Sequence, residues 1–343
     1  MLLLLAALLH QSGDRLYVAN QDAAMITVVD AATFTVIDTV KLTKLGFSPT
    51  ARPHHVVVEP DGSFWYVSLI GDNRVLKLDR ENRVVGQAPF AAAGMLALHP
   101  TRDVLYVTRS MTAVNPPQRI GVIKRSDMTI DEVDVFFPRP HAVAVDPRGT
   151  HVYVGSLGEN RIASLNVETQ ELELTDVEGT TPHSFVQFAI SPTAPVLVAT
   201  TELTAKALVF DISRAGSPKL INSIDVKAAP WDPVFTPDGK FVYFGNQRTN
   251  TVTVLDAATW TVATVIEGKG LAEPYGSTVS ADGRYVYIAN RNLKAAQEHA
   301  HAAGNPARVA TVVVIDPATR GIIRVIDVPG DATGLGTRPP PHR

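Results

Sequence analysis

The stretch "HAVAVDPRGTHVYVGSLGENRIASLNVETQELELTDV", His141 to Val177, divides into four short runs separated by turn residues. "HAVAVDP" ends in the turn "PRGT", "HVYVGS" in the loop "LGEN", "RIASLNV" in the tight turn "ETQE", and "LELTDV" completes the unit. Each run alternates apolar and polar residues and is rich in Val, Ile, Leu and Tyr, which reads as a strand half-buried on a pleated surface. A single four-stranded sheet cannot cover both of its apolar faces. Such a unit therefore requires neighbours like itself.

Those neighbours are present. The pieces "RLYVAN", "FWYVSL", "VLYVTR", "HVYVGS", "PVLVAT", "FVYFGN" and "YVYIAN", centred on Tyr17, Tyr66, Tyr106, Tyr153, Leu197, Tyr243 and Tyr287, recur at spacings of 49, 40, 47, 44, 46 and 44 residues. Most lead into a further strand and an acidic turn, as in "ITVVDAATFTVIDTV" and "VTVLDAATWTVATV". Seven four-stranded units with a period in the forties predict an all-β chain: a seven-bladed β-propeller of four-stranded antiparallel blades around a central channel. Radial stacking buries the sheet faces, and closing the ring leaves only short edges. The propeller is expected over residues 13–330 as one domain. Two segments compete to supply the first blade's inner strand, residues 1–12 ("MLLLLAALLHQS") and the tail 331–343 ("DATGLGTRPPPHR"). The first also reads as the apolar part of an export signal, although basic residues do not precede it and no small-x-small cleavage site follows. It is too short to span a bilayer.

The chain has 343 residues and a formal net charge of -3, which argues against broad electrostatic capture of nucleic acid. It contains no Cys, so disulfides, thiolate metal sites, Cys nucleophiles and haem attachment through a Cys pair are excluded. Metal ligation falls to His, Asp and Glu. No phosphate-binding loop, dinucleotide fingerprint, nucleophile-elbow serine or metalloprotease histidine pair occurs.

The repeated "YVAN", "YVTR" and "YIAN", the "VxVxD-x-A-T" that follows several of them, and the "PDG" turns at Pro60–Gly62 and Pro237–Gly239 resemble the YVTN family of seven-bladed propellers. The likeness covers nearly the whole chain. It implies the fold, and it implies an exported protein, periplasmic or secreted. The family is similar to the propellers of quinoprotein amine dehydrogenases, nitrous oxide reductase and cytochrome cd1 nitrite reductases, and also to many binding proteins, so the resemblance leaves function open. Blade three ("VIKRSDMT") and blade five ("PVLVAT", "DISRAGSPKL") depart from the pattern.

Propeller geometry places the loop leading into each inner strand, and the loop between the second and third strands, on one face, the top. Aligning the units on their "PDG"-type turns puts His54, Gly94, His141, Trp231 and Tyr275 in one slot at the mouth of the channel. His55 points the opposite way to His54, between blades. His183, in "TTPHSFVQFAISP", reaches the mouth only if a loop or bulge absorbs three extra residues. An insertion in blade seven, "NRNLKAAQEHAHAAGNPAR", brings Glu298, His299 and His301 to the same face, whereas His99 and His151 fall at bottom turns. His54, His55, His141, His183, His299 and His301 are thus the candidate metal ligands, with copper favoured over iron or zinc. Arg52 and Arg139, with Trp231 and Tyr275, are the candidate contacts for an anionic or aromatic ligand. Each of these residues taken singly also reads as a repeat-derived cap or channel plug.

Two functional classes follow. One is an exported binding or interaction propeller that holds a small ligand, a metal or a partner protein on its top face. The other is a metal-dependent oxidoreductase using the same histidines.

Overall fold

The computed structural model describes residues 13–293 and 309–339. Among the described residues, twenty-eight strands, β1 to β28, form seven four-stranded sheets. Six sheets are built from consecutive strands. The seventh has the order β28-β1-β2-β3, in which β1 (Arg15–Asn20), β2 (Met25–Asp30) and β3 (Thr35–Lys41) are joined by β28 (Ala332–Arg338). The C-terminal tail therefore supplies the inner strand of the first blade, pairing Leu16 with Thr337 and Val18 with Leu335. Residues 1–12 lie outside the described residues. Among the described residues no helix is long and apolar enough to cross a membrane.

Seven apolar clusters, one between each pair of adjacent blades, hold the ring together. Tyr17 and Ile26 of blade one meet Trp65 and Val67 of blade two. The last cluster joins Tyr287 and Val312 of blade seven to Leu16, Val18 and Leu335 of blade one. Ring stacking contributes at the first of these interfaces, where Tyr17 and Trp65 lie 4.4 Å apart at 16°. Burial of these faces is the main favourable term, at about 25 cal/mol per Å² of apolar surface.

The recurrent acidic turns have a local cause. Asp30 accepts the N–H groups of Ala32 and Thr33 at 3.0 Å each, and Asp256 those of Ala258 and Thr259 at 2.8 and 3.0 Å. These side chains fold the turn on their own backbone. The turn then closes through a left-handed residue, Phe34 in blade one and Trp260 in blade six, with φ of 56° and 54°.

The register in blade five differs from the sequence alignment by one residue. Phe185 pairs with Thr201 as Pro140 pairs with Ser156, so Val198, and not Leu197, occupies the place of Tyr153. The recurring tyrosine is there replaced by a smaller side chain.

Closure is held by a buried side chain as well as by the ladder. Arg338 donates from Nη1 to the Tyr17 hydroxyl and to the Arg80 carbonyl, both at 2.9 Å. Arg338→Met is expected to lower stability by about 2 kcal/mol, the usual scale for a buried charged hydrogen-bond donor. Removal of residues 332–343 should abolish the single cooperative urea transition. Unchanged midpoints in both variants would contradict this account of closure.

Candidate functional site

The site is organised by one backbone device repeated in every blade. The residue after each second strand donates its N–H to the carbonyl of the residue leading into the inner strand: Gln21 to Asp331, Ile70 to Arg52, Ser110 to Ala92, Leu157 to Arg139, Glu202 to Ser184, Gln247 to Ala229 and Arg291 to Glu273. Six of those acceptors, Asp331 excepted, have φ between 50° and 59°. A left-handed non-glycine residue costs about 1–2 kcal/mol. Because the strain is shared around the ring, it belongs to the architecture and does not single out Arg52 or Arg139.

Two positions beyond each of these residues comes the axial slot. The register places Thr333, His54, Gly94, His141, Val186, Trp231 and Tyr275 there, in blades one to seven. Trp231 and Tyr275 stack at 3.9 Å and pack with Val186, and Tyr275 meets His54 edge to face at 6.0 Å. Gly94 takes the position between the two histidines around the ring. A Cβ there would lie 2.6 Å from the Ser110 nitrogen, so the neighbouring backbone excludes a side chain.

His54 and His141 are only 4% and 0% exposed. His141 Nδ1 lies 2.7 Å from the Val186 carbonyl, and His54 Nδ1 lies 3.1 Å from Gln21 Oε1. Both oxygens can only accept, so the proton of each neutral ring is on Nδ1 and the Nε2 lone pair is bare. Neither Nε2 has a partner among the described residues. Burial holds His54 well below the ordinary histidine value, and lowers His141 to about 4. Both rings are therefore neutral at pH 7.

The other candidate residues are placed differently. His55 is half-buried and accepts the Leu96 N–H on Nδ1 at 3.2 Å, tying blade two to blade three, and burial lowers it to about 4. His183 lies in the loop before the inner strand, where Nε2 meets the Glu178 carbonyl at 2.8 Å and Nδ1 the Thr204 hydroxyl at 3.0 Å. The extra residues stay in that loop, and Val186 takes the slot. Arg139 donates to the Met111 carbonyl at 2.8 Å, while Arg52 Nε and Trp231 Nε1 are buried without a partner among the described residues. Glu298, His299 and His301 lie outside the described residues. Among the described residues no group of three or more His, Asp or Glu side chains is arranged to hold a metal. His99 bridges blades through Nε2 and the Gly149 carbonyl at 2.9 Å.

Gln21, Asp232 and Gln187 were missed from sequence, whereas Arg291 was expected near the top face with Arg52 and Arg139. Gln21 follows "YVAN" as Arg291 follows "YIAN", and both reach the mouth: Arg291 lies 4.9 Å over the Tyr275 ring while bonded twice to Asp331 at 2.8 Å. Asp232 sits one residue past the slot, where His55 sits in blade two. Its carboxylate accepts the Ser277 N–H at 3.3 Å, and Gln187, in the same column, accepts that of Val143 at 2.9 Å. Reading one column further along the repeat alignment would have found Asp232 and Gln187.

No family model matches the chain, and no curated protein matches it. Solved structures do. A functionally unknown protein from Desulfotomaculum acetoxidans superposes with a TM-score of 0.75 at 12% identity, covering 95% of this chain and 99% of that one. A dihydro-haem d1 dehydrogenase in complex with DHE gives 0.63 at 12% identity, covering 94% and 74%. The hydrazine synthase of Kuenenia stuttgartiensis gives 0.60 at 23% identity, covering 77% and 76%. At these identities the likeness establishes the fold alone.

The buried groups make opposite demands on pH. Burial raises Asp232 to about 7, so its ionisation destabilises the folded chain as pH climbs from about 4, where an unfolded Asp titrates, to 7. The depressed histidines act the other way: the unfolded chain takes up protons below about pH 6.5, and stability is lost as pH falls toward 4. Asp232→Asn should therefore melt higher than the wild type at pH 8, with the gain vanishing near pH 4. An equal gain at both values in thermal melts would show that the carboxyl does not titrate in this window.

Proposed function

We propose that this protein is an exported YVTN-type binding propeller that holds a small ligand at the axial mouth. The observation that carries the reading is the pair of fully enclosed, neutral imidazoles, His54 and His141, each anchored through Nδ1 and each left with an unpaired Nε2. A buried acceptor without a donor costs about 1–3 kcal/mol, and a ligand that engages both nitrogens recovers it. The Trp231–Tyr275 stack closes the opposite side of the same mouth. The signal-like run at residues 1–12 and the repeat motifs support export.

The metal-dependent oxidoreductase is a second reading. It is supported by bare Nε2 lone pairs of the kind that ligate metals, and by the occurrence of a dehydrogenase and a hydrazine synthase among proteins of similar fold. A redox enzyme requires turnover in addition to binding.

Thermal shift against two panels tests the site: flat neutral organic molecules and transition-metal ions. At a hundredfold excess over Kd a true ligand stabilises by about 2.7 kcal/mol. The expected result is a rise in Tm with a member of one panel, lost in His54→Leu and in His141→Leu. A rise that persists in both variants, or no rise with any probe, would overturn the axial site.

A further inference from the structure

Six blade interfaces hold the recurring tyrosine, and the one between blades five and six does not. Tyr17, Tyr66, Tyr106, Tyr153, Tyr243 and Tyr287 each pack against the following blade, whereas Val198 stands at that register in blade five. A cleft of 360 Å³ opens on the bottom face at this same interface. Its walls are Val196 of blade five and Phe235, Phe241 and Trp260 of blade six.

Blades two and three show what such a position otherwise contains. There the Tyr66 hydroxyl donates to Glu59 at 2.6 Å, and Arg125 of blade three approaches the same carboxylate at 3.4 Å. The Glu59 N–H bonds to the Phe64 carbonyl as that of Ser191 bonds to Val196, and the Arg125 N–H bonds to Asp103 as that of Ala257 bonds to Lys240. Ser191, Ala257 and Lys240 are therefore the counterparts of Glu59, Arg125 and Asp103, the groups around the Tyr66 hydroxyl, and all three line the cleft. Ser191 and Ala257 are much shorter than the Glu and Arg they correspond to.

We propose that this cleft is a second binding site, separate from the axial mouth, which takes a small neutral phenol: the ring lies where a tyrosine is absent and the hydroxyl meets Ser191 and Lys240. An apolar cavity of about 150 Å³ already holds a benzene ring, so the volume suffices for one substituted ring. Phe235, Phe241 and Trp260 offer aromatic edges and faces to it. Lys240 Nζ lies 3.2 Å from Asp238, and an ammonium has three protons to donate. Asp256 also lines the cleft, and the N–H groups of Thr259 and Ala258 hold its carboxyl below the usual range, so it is ionised at neutral pH. A carboxylate on the ligand would meet that anion. A phenol, with a pKa of about 10, would not be charged.

Calorimetric titration of the full chain with p-cresol tests this. One equivalent is expected to bind the wild type, with cyclohexanol and p-toluate each about 10-fold weaker. Val198→Tyr, which restores the repeat, should abolish binding. If that variant does not fold, Trp260→Ala, at a half-buried side chain, carries the comparison and should weaken binding about 10-fold. Lys240→Met should weaken p-cresol about 5-fold and leave toluene unchanged, because only the hydroxyl uses the ammonium. No binding to the wild type, or binding undiminished in both Val198→Tyr and Trp260→Ala, would overturn the site. Cyclohexanol bound as tightly as p-cresol would overturn the aromatic assignment, and p-toluate bound more tightly would overturn the choice of a neutral hydroxyl.

Discussion

The pairing of β28 with β1 is the constraint on which the rest of the molecule depends. Six blades are made from consecutive strands, and each needs a neighbour to cover its apolar face. Only the strand from the far end of the chain gives blade one its inner edge and lets blade seven stack on blade one. Without it the row of sheets has two open ends, each a template for pairing with another chain. With it, the seven inner strands converge on one axis.

Convergence turns a repeat into a site. Every blade holds the start of its inner strand by the same hydrogen bond to a carbonyl beside the mouth, and the ring absorbs the backbone strain in blade after blade. The scaffold therefore delivers seven positions to one level, and their residues decide what the mouth can do. Two imidazoles flank a glycine, and a stacked Trp–Tyr pair lies further round the ring. Gln21 and the Val186 carbonyl are also parts of the scaffold, yet they fix which nitrogen of each imidazole is free.

The fold was legible because its signal is redundant: seven copies of a strand pattern outweigh the irregular blades three and five. The slot was legible for the same reason, since His54, His141, Trp231 and Tyr275 follow from counting back from similar turns. Blade five shows where counting fails. Pro182-His183 imitates Pro53-His54 and Pro140-His141, but the pairing of Phe185 with Thr201 starts the strand later and leaves His183 in a loop that occupies both of its nitrogens. Gln21 was not legible as a site residue, because nothing in a local motif announces a contact between blades, whereas Asp232 follows the slot directly. The choice between the two chain ends for closing the ring was likewise undecidable from local pattern, since both carry small and apolar residues.

Amide hydrogen exchange on β28 tests the central claim most directly. If Ala332–Arg338 is the inner strand of blade one, the amides bonded to β1 should be protected to the same degree as those of the inner strands β4 (Pro53–Val58) and β12 (Pro140–Val145), and should open with them in one global event. Exchange of these amides at the rate of an open tail, while the other inner strands stay protected, would contradict the closed ring and the axial site built upon it.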